Sequence, residues 1–145
     1  MFIEYKVEPY KSVGEYIFGM PRQTIKERMG EPVSTTKYGY PVLDRFLDDY
    51  GFLYVLCNHE SFLEAIEIYP EYTEDVIVLL YGEKRVVINT DIEETMSDFE
   101  KISDDFIWDE DTYCSEKLGV KVFCPDDHIE NILVYDKHYY DWLLI

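Results

Sequence analysis

A chain of 145 residues that is 47% hydrophobic and 17% aromatic has the apolar material for one packed core and lies outside the composition of disordered proteins. Its 31 acidic and 13 basic residues give a formal net charge of −18, a field that repels nucleic acid and anionic membrane and attracts cationic partners. The amino-terminal stretch has no charged-then-apolar leader pattern, no apolar run nears the roughly 18 residues of a bilayer span, and Cys57, Cys114 and Cys124 lack metal spacing. A cytoplasmic protein with buried, reduced thiols is therefore expected.

In chain order, the first predicted element is a helix over residues 21–29. Pro21 suits its first position, Ile25 and Met29 repeat at i and i+4, and Gly30 followed by Pro32 stops it. Strands are predicted over 43–47, 52–57, 63–69, 76–81 and 85–88, with turns at Gly51, 58–60 and Gly82. The unbroken run Val76-Ile77-Val78-Leu79-Leu80 reads as a central strand buried on both faces, and the Ile66-Glu67-Ile68 alternation as a half-exposed one. A second helix is predicted over 91–102, opened by a capping box of Thr90 and Glu93 and carrying the stripe Ile92, Met96, Phe99 and Ile102. Strands over 106–108, 119–123 and 130–135 complete the set, with a turn at 125–127.

The stretch from Leu53 to Tyr69 resembles the stretch from Val120 to Tyr135, and each follows a candidate helix by about thirty residues. The expected architecture is a single α+β domain over 1–145 with an internal repeat, 18–70 and 88–136. Its sheet is predominantly antiparallel, with two helices on one face, built as a tandem of two helix-then-strands units.

Within residues 18–32, Gly19, Met20, Ile25, Met29, Gly30 and Pro32 resemble the opening helix of the small αβ units in the SmpA/OmlA and β-lactamase-inhibitor-protein group. That resemblance implies short helices paired with antiparallel strands, in tandem in the inhibitor protein. In overall character, the acidic, Tyr-rich chain with Val134-Tyr135-Asp136 and Tyr139-Tyr140-Asp141-Trp142 near its end is similar to immunity proteins of bacterial polymorphic toxin systems. That likeness implies a protein that neutralises a toxin, commonly a basic nuclease, by covering its active site.

Charge is uneven along the chain. Residues 71–145 hold 20 acidic and 6 basic groups, and between Asp91 and Asp111 ten carboxylates face Lys101 alone. The candidate partner-binding residues are Asp104, Asp105, Asp109, Glu110 and Asp111, which would meet Lys or Arg, together with the aromatic anchors Trp108, Tyr113 and Tyr139. The order of acids does not match a calcium loop, and Cys124-Pro125-Asp126-Asp127-His128 is a poorly matched ligand set, so no metal or cofactor is expected. No nucleophile elbow, phosphate-cradling glycine loop or organised His–acid pair is legible, so no enzymatic activity is expected. The function read from the sequence is an immunity-like inhibitor that occludes a basic toxin or nuclease. The alternative is a structural or regulatory homodimer associating through the apolar segment 139–145, with acidity serving solubility.

Overall fold

A computed structural model describes residues 1–39, 41–89 and 91–141. The chain opens with β1 (Phe2–Glu8), β2 (Ser12–Val13) and β3 (Tyr16–Ile17), followed by helix α1 (Arg22–Met29). Four strands come next, β4 (Ser34–Tyr38), β5 (Arg45–Asp49), β6 (Leu53–Cys57) and β7 (Leu63–Ile68). A hairpin of β8 (Val76–Tyr81) and β9 (Lys84–Ile88) leads into helix α2 (Ile92–Glu100). Four more strands close the fold, β10 (Ile107–Asp109), β11 (Thr112–Ser115), β12 (Val120–Phe123) and β13 (Asn131–Tyr135).

These strands form two sheets where one was expected. The smaller has the order β3-β2-β1-β8-β9, and the larger the order β10-β11-β12-β13-β7-β6-β5-β4. The larger sheet is two antiparallel meanders, β4 to β7 and β10 to β13, joined where β13 pairs with β7. The fold is thus mixed α and β with two helices and mostly antiparallel pairing, and β1 with β8 is the parallel exception among the described strands.

Period-two side-chain alternation gives each strand two faces. On the inner face of the large sheet, Leu53, Val55, Ile66, Val120, Val122 and Ile132 are buried against Ile77, Leu79 and Val86 of the small sheet, with Ile25 of α1 and Met96 and Phe99 of α2 in the same cluster. Both helices therefore contribute to one core. The run 76–80 is a central strand as expected, flanked by β1 and β9.

The half-exposed reading of 66–68 needs correction. Ile66 and Ile68 are inward and fully buried, while Glu67 on the outer face is partly buried and accepts a hydrogen bond from the Tyr69 hydroxyl at 3.2 Å. Tyr54, opposite Glu67 in the ladder, packs on Tyr69 at 4.5 Å, and Tyr69 stacks on Tyr72 at 5.1 Å. A tyrosine layer thus covers that part of the outer face.

Each helix is fixed by a side chain reaching a strand. Arg22, at the start of α1, grips Asp48 of β5 through two hydrogen bonds of 2.7 and 2.8 Å and lies 4.4 Å above the Phe46 ring. Asp48 is buried, which opposes ionisation, but the bonds from Arg22 and Thr35 outweigh burial and hold its pKa below the ordinary value. Asp91 caps α2 by accepting from the Glu93 amide at 3.0 Å; the expected cap, Thr90, lies outside the described residues. The helix ends at Glu100, short of Ile102.

Along its length α2 seals the free edge of β9. Thr95 donates to the Val87 carbonyl at 3.0 Å and accepts from the Asn89 amide at 2.9 Å, and Asp98 accepts from the Val87 amide at 3.1 Å. Backbone groups that would otherwise offer a pairing template are thereby occupied.

Tyr81 stands apart in this core. Its hydroxyl is buried with no hydrogen-bond partner among the described residues, and burial pushes its pKa up. Tyr81→Phe is expected to leave stability unchanged or raise it by about 1 kcal/mol, since an unpaired buried hydroxyl carries an unrecovered desolvation penalty. A urea midpoint lower than that of the parent would contradict this.

Candidate functional site: the acidic hairpin face

The expected partner-binding residues fall mainly on the β10–β11 hairpin and the loop that feeds it. The two-residue turn Glu110-Asp111 sets the register Trp108 to Tyr113 and Asp109 to Thr112. Glu110 holds φ at +57°, a conformation L side chains rarely adopt, so the tip is a committed turn. Trp108 and Tyr113 pack ring to ring at 4.6 Å, and Trp108 remains 48% exposed.

Alternation splits the set between two sides of the sheet. Trp108 and Tyr113 share the face of Val122 and the core, whereas Ile107, Asp109, Cys114 and Lys121 share the opposite face. The acids and aromatics therefore wrap around one sheet edge. Asp109, Glu110 and Asp111 are exposed and form no salt bridge among the described residues.

The Tyr113 pKa is raised, first by burial, then by Cys124 and by the carboxylates of Glu100, Asp127 and Glu93. These acids come from α2 and from the 3-10 turn Pro125–Asp127. Phe106 packs on Phe99 at 5.2 Å and ties the loop before the hairpin to the core.

Two of the expected contact acids are occupied within the molecule. Asp104 is exposed and paired with the Lys117 ammonium at 2.9 Å. Asp105 accepts from the Ser115 hydroxyl at 2.6 Å, the Lys117 amide at 2.9 Å and the Ser103 hydroxyl. Burial opposes its ionisation, but these bonds prevail and hold its pKa at about 2. Asp105 is thus a clamp on the loop that carries the hairpin.

A carboxyl whose pKa falls on folding contributes stability above its ordinary pKa of 3.8, and that stability is lost as pH drops toward about 2. Asp105→Asn, which keeps an acceptor oxygen for either the Lys117 amide or the Ser103 and Ser115 hydroxyls but not for both sets, is expected to cost about 1–2 kcal/mol after allowance for screening, and to flatten the stability profile in that window. Urea titrations at pH 2.5 and pH 6 measure it; an equal loss at both pH values would contradict the clamp.

Tyr139 does not join the hairpin. It is buried on the outer face of the large sheet with Leu56, Ala65 and Tyr135, its ring 6.1 Å from that of Tyr135. Of the apolar segment 139–145 expected to make a dimer contact, residues 142–145 lie outside the described residues.

Sequence reading missed the ionic site under this tyrosine cluster. Glu64, 4% exposed, accepts from Arg45 and from the Tyr38 hydroxyl. Burial dominates and leaves the Glu64 pKa raised in spite of both donors. A single carboxylate between Leu63 and Ala65 gives no sequence signal of burial; its partners are identified only by the pairing of β4, β5, β6 and β7.

The chemistry available elsewhere is limited. Burial pushes the Cys57 thiol up to about 12, and burial with Asp127 and Asp111 pushes Cys124 up to about 11, so both are thiols at neutral pH. His59, His128 and His138 lie beside Glu60, Glu71 and Asp141 respectively, on separate stretches of surface. Among the described residues no group of three or more His, Cys, Asp or Glu is placed to hold a metal ion, and no helix is long and apolar enough to cross a membrane.

Fold and site together define a mixed α and β domain of two packed sheets with an acidic, aromatic edge. No family model matches the chain, and no curated protein matches it. A solved structure of a cysteine-rich secretory protein from Staphylococcus aureus subsp. aureus Mu50 is similar, with a TM-score of 0.42 at 8% identity over 97% of this chain. The chain spans 52% of the length of that protein.

Proposed function

We propose that this chain is a non-enzymatic, cytoplasmic binding protein that occludes a basic protein partner, an immunity-like inhibitor of a toxin or nuclease. The observation that carries this reading is the exposed Trp108 at a sheet edge, packed on Tyr113, with Asp109, Glu110 and Asp111 exposed beside it and in no salt bridge among the described residues. Such a field steers a cationic partner, raising association rates by roughly 10–10³ at low ionic strength. A half-exposed Trp then supplies apolar area to be desolvated at the centre of the contact.

Each four-strand meander of the large sheet follows a helix in the chain, which supports a tandem duplication in which the second unit has taken up the binding role. In this reading Asp104 and Asp105 hold the loop in place, and Asp109, Glu110 and Asp111 make the contact.

The test uses the partner captured from the source cell and then purified. Association with the parent chain is expected to slow steeply with salt, and Asp109→Lys with Glu110→Lys and Asp111→Lys to weaken binding at least tenfold. An unchanged affinity in the triple variant would overturn the reading.

A further inference from the structure

We propose that the outer edge of β10 is the docking strand itself, and that an extended Lys- or Arg-bearing segment of the partner adds to it as a ninth strand of the large sheet. This rests on the basic-partner reading above and specifies its geometry. β10 pairs only with β11 among the described strands, and all three of its residues are exposed. In an antiparallel ladder, alternate residues turn their N–H and C=O away from the neighbour, so an edge strand presents unpaired backbone groups to solvent.

The other edges differ: at β3 the Ile17 amide donates to the Met20 sulfur and its carbonyl accepts from the Met20 amide. α2 occupies the outward groups of β9 through Thr95 and Asp98. β4 is a polar strand, Ser34-Thr35-Thr36-Lys37-Tyr38, with a cation at the end of its exposed run. β10 instead displays Ile107, 67% exposed, on one face and Trp108 on the other, an apolar side chain on each side of an open ladder.

Charge selects the occupant. A second copy pairing antiparallel about Trp108 would set Ile107 against Asp109 and bring the Asp104 end of one strand beside Glu110 and Asp111 of the other. Like charges in such positions are destabilising, so self-pairing is opposed. The same carboxylates favour a strand carrying Lys or Arg. Because Ile107 and Asp109 share a face, the added strand is expected to turn its cations to that face, one opposite Asp109 and the next with its alkyl stem along Ile107, and its apolar residues to Trp108 on the other side.

The test takes the full chain and three synthetic octapeptides: alternating Lys and Val, alternating Glu and Val, and the Lys–Val sequence N-methylated at every residue. Binding is followed by fluorescence anisotropy at low salt, and β10 by amide hydrogen exchange. The Lys–Val peptide is expected to bind, to slow exchange at residues 107–109, and to lose at least tenfold in affinity on N-methylation, while the Glu–Val peptide does not bind. Equal binding of the methylated peptide, with β10 exchange unaltered, overturns edge docking and leaves the basic-partner reading standing. Failure to discriminate Lys–Val from Glu–Val overturns both.

Discussion

Phe99→Ala is expected to lower stability by about 3–5 kcal/mol, the range for deleting a fully buried aromatic ring. Phe99 is completely buried, lies edge-on to Tyr81 at 6.2 Å and packs on Phe106 at 5.2 Å, so one ring links α2, the small sheet and the loop before β10. Loss of that ring also loosens the seal on β9, because Thr95 and Asp98 hold their backbone partners only while α2 is seated. Against a typical domain stability of about 5–15 kcal/mol, the variant should be close to its folding limit. A urea midpoint series gives the magnitude, and hydrogen exchange at Val87 reports the seal. A loss below about 1 kcal/mol would mean that α2 is not anchored through this residue.

Arg45→Met should have a comparable effect for an electrostatic reason. It leaves Glu64 buried with Tyr38 as its remaining donor, and removal of one partner from a buried ion pair costs about 3–5 kcal/mol. The Glu64 pKa is already raised by burial, and loss of the guanidinium raises it further. A carboxyl with a raised folded pKa stabilises the fold when protonated, so the variant's deficit should shrink as pH falls toward the ordinary carboxylate range and grow as pH rises. This is the opposite sign to Asp105. Adding Glu64→Gln to Arg45→Met should recover a large part of the loss at pH 8. Urea titrations of both variants at pH 5 and pH 8 provide the measurement, and a pH-independent deficit would show that Glu64 ionisation is not its source.

Several elements were legible in the sequence because burial left a pattern. β6, β7, β8, β9, β12 and β13 match predicted runs to within a residue or two, since their inner faces are Val, Ile and Leu. Both helices were readable from their apolar spacing. β1 was missed although Ile3, Tyr5 and Val7 alternate with polar residues, because Glu4, Lys6 and Glu8 dilute the apolar signal. β4 and β11 were missed because Ser-Thr-Thr-Lys-Tyr and Thr-Tyr-Cys-Ser carry little hydrophobic contrast.

The acidic site was legible only as composition. Residues 104–111 read as one run of acids, yet their roles diverge with distant partners: Asp105 is claimed by Ser115 and Lys117, which return beside it only after the hairpin turns. Asp48 and Glu64 illustrate the same limit, their arginines lying 26 and 19 residues away. Spacing along a chain does not encode pairings created by sheet register.

The seam between β7 and β13 sets an order on biosynthesis. β7 emerges from the ribosome more than sixty residues before β13, its neighbour on that side. A nascent chain stalled between the two meanders has Leu63, Ile66 and Ile68 on a strand with one flank open, and β1 acquires its parallel neighbour β8 only after some seventy residues have been made. Truncated products ending near residue 90 should therefore aggregate rather than accumulate as a folded half.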